Sequence, residues 1–595
     1  MSGEKDAVMA REHVESNSSE HDKNRIQFVH VDGAVDYVSK DVVGGDVDQM
    51  PAGYYRSPRF IGTVIATCTA SICAYLGWVL PANTLLLINE DIGPSLNLNW
   101  VATIWTLGSS IGFLLFGRLS DIFGRKEMVM GVNVLGLVGN IVGASASSIE
   151  QLIGANGCNG LAAAGQLSFG IILGELVPNK HRGAMATVVF ISSLPFAVFG
   201  PVIARSFILT TSSGWRWSYY LGIILEVVTL VLYQFLYHPP RFDQLHDDKT
   251  RWQAFKELDF VGIFLFVSGF VVFLIGLSWG GSAYPWKSAE VVATTVIGGC
   301  LIIAFGIYEA YFCHTHPLMP PRMFKKIGFV AIVLCATVGS MVYYSMTVIW
   351  PTIIGTLYTT DTMAVGWKSC VVGGGVLLGQ IIGGLSLSYV PKVKWQAIVT
   401  CVLGGAFVSS LASISAANQT AAIVQGLLGL IFIGIIENIT FPGVTLLWEA
   451  QDIGLATGIL GSIRGMGGAV AQALYVTILT NKSTAYIGSY VSVAATEAGL
   501  PESSLEAVFG GIATGSFAGI PGATAPVIAA VGGAVQRAYQ DAFHMVFYAT
   551  IPFSVILVIA SLFVPNMEKF LHNDVARKLQ THHGHEKAPR DAEKA

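Results

Sequence analysis

The chain has 595 residues, of which 53% are hydrophobic and only 12% charged, and its mean hydropathy is +0.59. Soluble domains carry roughly 25% charged residues, so a soluble globular class is excluded. A net charge of −4 and a pI near 6.4 give no general attraction to nucleic acid.

Residues 1–58 are polar and mixed in charge, with no basic start followed by an apolar core, and read as a disordered cytosolic tail rather than a cleaved signal peptide. Apolar runs long enough to cross a bilayer as helices then fall near 62–84, 98–117, 127–147, 155–177, 184–205, 217–237 and 258–280. A second series lies near 289–312, 327–350, 367–388, 395–415, 420–446, 453–479 and 544–564, which makes fourteen spans. They must be helical, because lipid offers no partner for open backbone groups. Small residues suited to close helix contact recur through them, most densely in "GGGVLLGQIIGG" at 373–384. Residues 481–540 read as a long outer loop, and 567–595 as a second cytosolic tail. In that tail His582, His583 and His585 read as solvated rather than metal-binding.

An even number of spans puts both tails on one side, and the short loops say which. Loops 118–126, 178–183, 238–257, 313–326 and 389–394 carry Arg118, Arg125, Lys126, Lys180, Arg182, Arg241, Lys249, Arg251, Lys256, Arg322, Lys325, Lys326, Lys392 and Lys394, while loops 85–97, 148–154 and 416–419 have no Lys or Arg. The first set is therefore expected in the cytosol, with both tails. The opposite side holds two sequons, at Asn418 and Asn481, as glycosylation candidates. The eight cysteines read as packing residues, with no disulfide framework, metal site or cofactor.

The densest charge cluster is "GRLSDIFGRKEMV", 117–129, between the second and third spans. Glycines at 117 and 124 permit a tight turn, and Asp121 can meet a helix N-terminus or a cation. Simple anchoring by positive charge would need neither. "GRLSDIFGRK" resembles the signature loop of the major facilitator superfamily, and "GLSLSYVPK" at 384–392 is a degraded echo of it, with Ser388 in place of the acid. The resemblance implies an all-α integral membrane facilitator fold: a six-helix bundle over 59–237, two inserted helices within 238–325, and a second bundle over 326–566. In the fifth span, "PFAVFGPVIARSF" keeps only Gly200 and Pro201 of the antiporter signature, and in the fourth Asn156 stands where drug antiporters have arginine. Segments 214–240, 258–291 and 451–479 are similar to the fungal trichothecene efflux pump family. That resemblance implies a monomeric carrier exporting amphipathic toxins or drugs by proton antiport at the plasma membrane or, alternatively, a vacuolar membrane. Its partners would be a small solute, protons and lipid. Siderophore import by proton symport, and a non-transporting sensor, are the alternative readings. An enzyme is not expected, since no His boxes or phosphate-binding Gly-Lys-Ser/Thr loop occur between spans.

Ionisable groups inside spans mark candidate sites. Glu437 in "IFIGIIENITFPG" and Glu226 in the sixth span are proton-coupling candidates, with Arg464 in "GSIRGMGG" as a partner for Glu437. Gln166, Gln380 and Gln425 are candidates for orienting the solute, and Gly117, Asp121, Gly124, Arg125 and Lys126 form the implied gating loop. Glu175 and Glu309 read as salt-bridged or solvated near span ends, and Arg205 as snorkelling.

Overall fold

The computed structural model describes residues 25–29, 35–39, 43–46, 50 and 53–579, apart from 96, 241–250, 282–283, 314–316, 391, 515 and 518; the side chain of Asp121 and the histidines at 582, 583 and 585 lie outside the described residues.

The first half begins with α1 (Pro58–Asn83), the short connecting α2 (Leu85–Ile92), α3 (Leu98–Phe123) and α4 (Arg125–Ala144), of which α1, α3 and α4 are its first three spans. The α1 start is fixed by Ser57, whose hydroxyl accepts from Phe60 N at 3.2 Å, with Pro58 at the first helical position. The fourth span is split into α5 (Ile149–Gln166) and α6 (Phe169–Leu176), and the fifth into α7 (Arg182–Ser192), α8 (Leu194–Ala197) and α9 (Gly200–Thr210). Pro195 and Pro201 explain the second case, since each lacks the N–H that would continue the ladder. α10 (Trp217–Leu236) completes the half.

After α11 (Arg251–Lys256), the inserted pair is α12 (Phe260–Trp279) and α13 (Ala289–Tyr311). The second half follows α14 (Pro321–Phe324) as α15 (Ile327–Leu357), α16 (Thr362–Tyr389), α17 (Val393–Ser410), α18 (Gln419–Leu447), α19 (Ile453–Glu497), α20 (Leu505–Thr514) and α21 (Ala525–Ser561). Among the described residues, 12 helices are individually long and apolar enough to span a bilayer, and the two broken spans bring the number to the fourteen expected.

Burial ranks these helices by place. The most apolar stretch of α19 is 83% buried and that of α3 78%, whereas α13 is 17% buried. The first two are central and the inserted pair is peripheral. α12 docks on α19, where Thr477 Oγ1 donates to Leu277 O at 3.3 Å and Gly281 packs against Asn481. The halves meet at glycines: a Cβ on Gly117 of α3 would stand 2.9 Å from Gly454 O of α19, and one on Gly183 of α7 2.6 Å from Gly384 O of α16.

Three expectations are corrected. The segment read as an outer loop, 481–540, is largely helical: α19 runs for 45 residues, roughly 70 Å, against a hydrocarbon core of about 30 Å. Its end joins α20 and the first turns of α21 around Val491, Ala495, Leu500, Val508, Val527 and Val531, a small apolar core of its own. The polar residues 1–58 are not featureless, since β1 (Arg25–Val29) pairs antiparallel with β2 (Val35–Ser39), and β3 (Val43–Asp46) with β4 (Asp574–Arg577) from the other end of the chain. Finally, Cys313 is not simply packed in apolar surroundings: its thiol and the carboxylates of Asp259 and Glu309 all lie within 4.8 Å of one another. Both acids are used by the backbone, Asp259 capping Gly262 N at 2.8 Å and Glu309 accepting from Leu318 N at 3.0 Å.

Candidate functional site

The central space lies between the halves. Trp78 of α1 stacks on Trp105 of α3 with ring centres 5.1 Å apart, and Tyr344 of α15 meets Trp78 edge-on at 5.6 Å. On its other side Phe169 of α6 lies 5.1 Å from Phe190 of α7 and 5.9 Å from Phe441 of α18. These rings, with Tyr75, Tyr343, Gln380, Glu437 and Arg464, line a cavity of about 30 Å3.

Two polar features stand in this aromatic wall. Arg464 of α19 is ion-paired with Glu437 of α18, and the two side chains are 8% and 1% exposed. Glu437 Oε2 also accepts from Gln380 Nε2 of α16 at 3.0 Å, and the guanidinium lies 5.1 Å from the centre of the Phe441 ring and 5.5 Å from that of Tyr344. Asn438, next along α18, donates to Gln380 O at 2.6 Å and to Thr187 Oγ1 of the other half at 3.3 Å. A buried ion pair needs this surrounding set of partners, because its desolvation cost is otherwise unrecovered. The second feature is a pair of unused donors: the indole N–H groups of Trp78 and Trp105 are buried without a hydrogen-bond partner among the described residues. Buried donors are rarely left so.

The structure separates the sequence candidates into two places. Glu437, Arg464 and Gln380 converge on the cavity as one cluster, whereas Glu226 of α10 lies inside the first half. There its Oε1 accepts from Gln166 Nε2 at 2.7 Å, and Gln166 in turn donates to Asn133 Oδ1 at 3.4 Å. Gln166 therefore belongs with Glu226 and not with the cavity, and Gln425 is half-buried in α18 away from the lining residues. Trp78, Phe169 and Phe441 were missed by sequence reasoning; aromatic residues are frequent in every span, so only three-dimensional convergence singles them out.

At the face carrying the Lys- and Arg-rich loops, Gly124 adopts φ +101° at the turn between α3 and α4, a conformation that favours glycine. The turn delivers Arg125 to Glu175 at 2.9 Å and to Ser120. Glu175 is thus salt-bridged, as read from its position near a span end. Lys126 Nζ donates to Gln234 O at 2.7 Å, and Arg118 Nη2 to Pro317 O at 2.6 Å. Gly200 packs on Val79 of α1, and Pro201 O accepts from Arg205 Nη1 at 3.3 Å. Arg205 is 5% exposed and touches Gly366 of α16, so it is wedged between the halves and does not snorkel. Asn418 caps α18 in an exposed position, accepting from Ala421 N at 3.3 Å. Asn481 lies within α19, half-buried, donating to Thr477 O at 2.8 Å, with Ser483 of its sequon buried.

Residues 32–594 match the family model described as fungal trichothecene efflux pump (TRI12). The chain is 28% identical over 540 residues to "Trichothecene efflux pump TRI12" of Fusarium sporotrichioides, covering 89% of this chain and 90% of that one. It is 27% identical to "MFS-type transporter prx5" of Penicillium rubens, over 89% and 95% of the two chains. Among solved structures it is similar to the proton:xylose symporter XylE bound to 6-bromo-6-deoxy-D-glucose, with a TM-score of 0.54 at 14% identity, covering 87% of this chain and 99% of that one; at that identity the likeness speaks to fold alone. A match across nearly the whole chain, on the facilitator architecture built above, places this membrane transporter in the fungal trichothecene efflux pump family.

Proposed function

We propose that the protein exports amphipathic, oxygen-bearing solutes from the cytosol in exchange for protons. The observation that carries this reading is the cavity: aromatic walls for an apolar skeleton, two indole donors with no partner, and the Glu437–Arg464–Gln380 cluster beside them. Apolar walls with a few fixed polar groups are how small-molecule sites combine affinity with orientation. The printed names of the relatives in Fusarium sporotrichioides and Penicillium rubens are of efflux and transport proteins, which supports export.

In this reading the basic face is cytosolic, the gating loop Gly117, Asp121, Gly124, Arg125 and Lys126 stabilises closure there, and the monomer rocks about the central cavity at the plasma membrane. Glu437 exchanges its tie to Arg464 for contact with solute or proton, while Glu226 carries a proton within the first half: a buried carboxyl with only amide partners is far less costly neutral than ionised. Asn418 is the glycosylation candidate whose surroundings leave room for a sugar.

The test is transport in energised vesicles across a panel of mycotoxins and antifungals, with and without a protonophore. Accumulation that collapses with the protonophore, and that is lost in Glu437→Gln, is expected. Accumulation indifferent to the proton gradient would overturn antiport.

A further inference from the structure

We infer that the segment following α21 is a strap that latches the two halves together across the basic face. Its first part belongs to the second half. Pro565 packs on Gly328 of α15, where an added Cβ would stand 3.0 Å from its ring; Met567 is fully buried against Gly443 of α18; and the Glu568 carboxylate accepts from Lys392 N at the start of α17. The following residues belong to the first half. His572 O accepts from Lys180 N at 3.1 Å, and Asn179 Nδ2 lies 3.2 Å from the His572 ring. Arg577 Nη1 lies 3.4 Å from Glu175 Oε2, and Leu579 N donates to Tyr54 Oη at 3.2 Å, with Leu579 itself buried beside Tyr54. β4 also pairs with β3, from the segment that leads into α1.

Each end is thus fixed to a different rigid body, and few residues lie between Glu568 and His572. When two bodies joined by a short tether separate, one set of anchors must break. The place of Arg577 makes the strap sensitive to the gating loop. Glu175 gives one carboxylate oxygen to Arg125, at 2.9 Å, and the other to Arg577. A single buried acid therefore joins the loop between α3 and α4 to the far end of the chain, and its two cations act in the same direction. Movement of Arg125 away from Glu175 would loosen the partner of the strap, and release of the strap would leave Glu175 held by one cation instead of two. The latch stabilises the conformation in which the basic face is shut, so its loss shifts the population towards the conformation open there.

Full-length protein in nanodiscs tests this by hydrogen–deuterium exchange, comparing the parent with Arg577→Ala, Tyr54→Phe and the double substitution. Neither residue touches the central cavity. The expected result is exchange at least threefold faster at the basic ends of α3 and α19, near 113–120 and 454–462, larger in the double substitution, with the cap residues 491–495 unchanged. Unchanged exchange at 113–120 and 454–462 would overturn the strap as a latch. Acceleration that reaches 491–495 equally would also overturn it, because the segment would then be a general stabiliser. The readout requires no transported solute, so it stands or falls separately from the export reading.

Discussion

Glu226 and Glu437 are equally hidden from solvent, at 1% exposure each, yet the two halves accommodate them by different means. In the first half Glu226 meets Gln166, and its Oε2 has no hydrogen-bond partner among the described residues. In the second half Glu437 meets a guanidinium and an amide, both at the edge of the cavity. The same residue type meets an amide in one setting and is half of an ion pair in the other. Their packing differs too: a Cβ on Gly136 would stand 2.5 Å from Glu226 Oε1 and 3.0 Å from Gln166 Nε2, whereas one on Gly339 would sit at an ordinary 3.7 Å from Glu437 Cγ. The first acid is sealed on one side by a glycine, and the second meets its glycine at ordinary contact distance.

The largest effect expected from this contrast is that of Arg464→Leu, which strands Glu437 without a countercharge and should cost about 3–5 kcal/mol. Adding Glu437→Gln should recover most of it, measured as denaturant midpoints in detergent; a single substitution as stable as the parent would break the contrast. Next is Gly136→Ala, expected to cost about 1–3 kcal/mol by overpacking, with loss of transport. Gly339→Ala should be neutral, or stabilise by up to about 1 kcal/mol through helix propensity. Equal costs for the two, read from thermal unfolding, would show that the glycine seal does not distinguish the halves. A smaller effect belongs to Glu226→Gln, which keeps size and hydrogen-bonding capacity and should change stability by less than about 1 kcal/mol. Its transport should nevertheless become insensitive to a protonophore. The smallest is Asn418→Gln, expected to leave stability unchanged and to abolish a glycan-dependent mobility shift in protein from a eukaryotic host.

Much of this was legible in the sequence because lipid imposes a simple rule. Long apolar runs had to be helices, and charges inside them had to have partners, as Arg464 and Glu437 do. Of the two glycines expected to make the gating-loop turn, Gly124 adopts the positive φ that such a turn needs, whereas Gly117 lies within α3 and serves the close contact with Gly454 of α19. Other features were hidden for physical reasons. The cap formed by the ends of α19 and α21 contains Gly, Ser and Ala at densities that read as loop, and its apolar residues face one another only when both helices are extended past the membrane. β3 and β4 are 4 residues each and find their partner more than 500 positions away, so neither carries a local signal. The grouping of Gln380, and not Gln166 or Gln425, with Glu437 depends on helix rotation, which hydropathy alone does not determine.

The unbroken course of α19 has a mechanical consequence. One rod carries the glycine contact with α3 at Gly454, the cation of the cavity at Arg464 and the outer apolar cap at Val491. From Arg464 to its end at Glu497 the rod is roughly 50 Å long, so its tip sweeps about 0.9 Å for every degree of tilt. A rotation too small to see at the cation becomes a displacement of several ångströms outside the bilayer, where an antibody fragment gripping the protruding tip would act as a brake on the whole cycle.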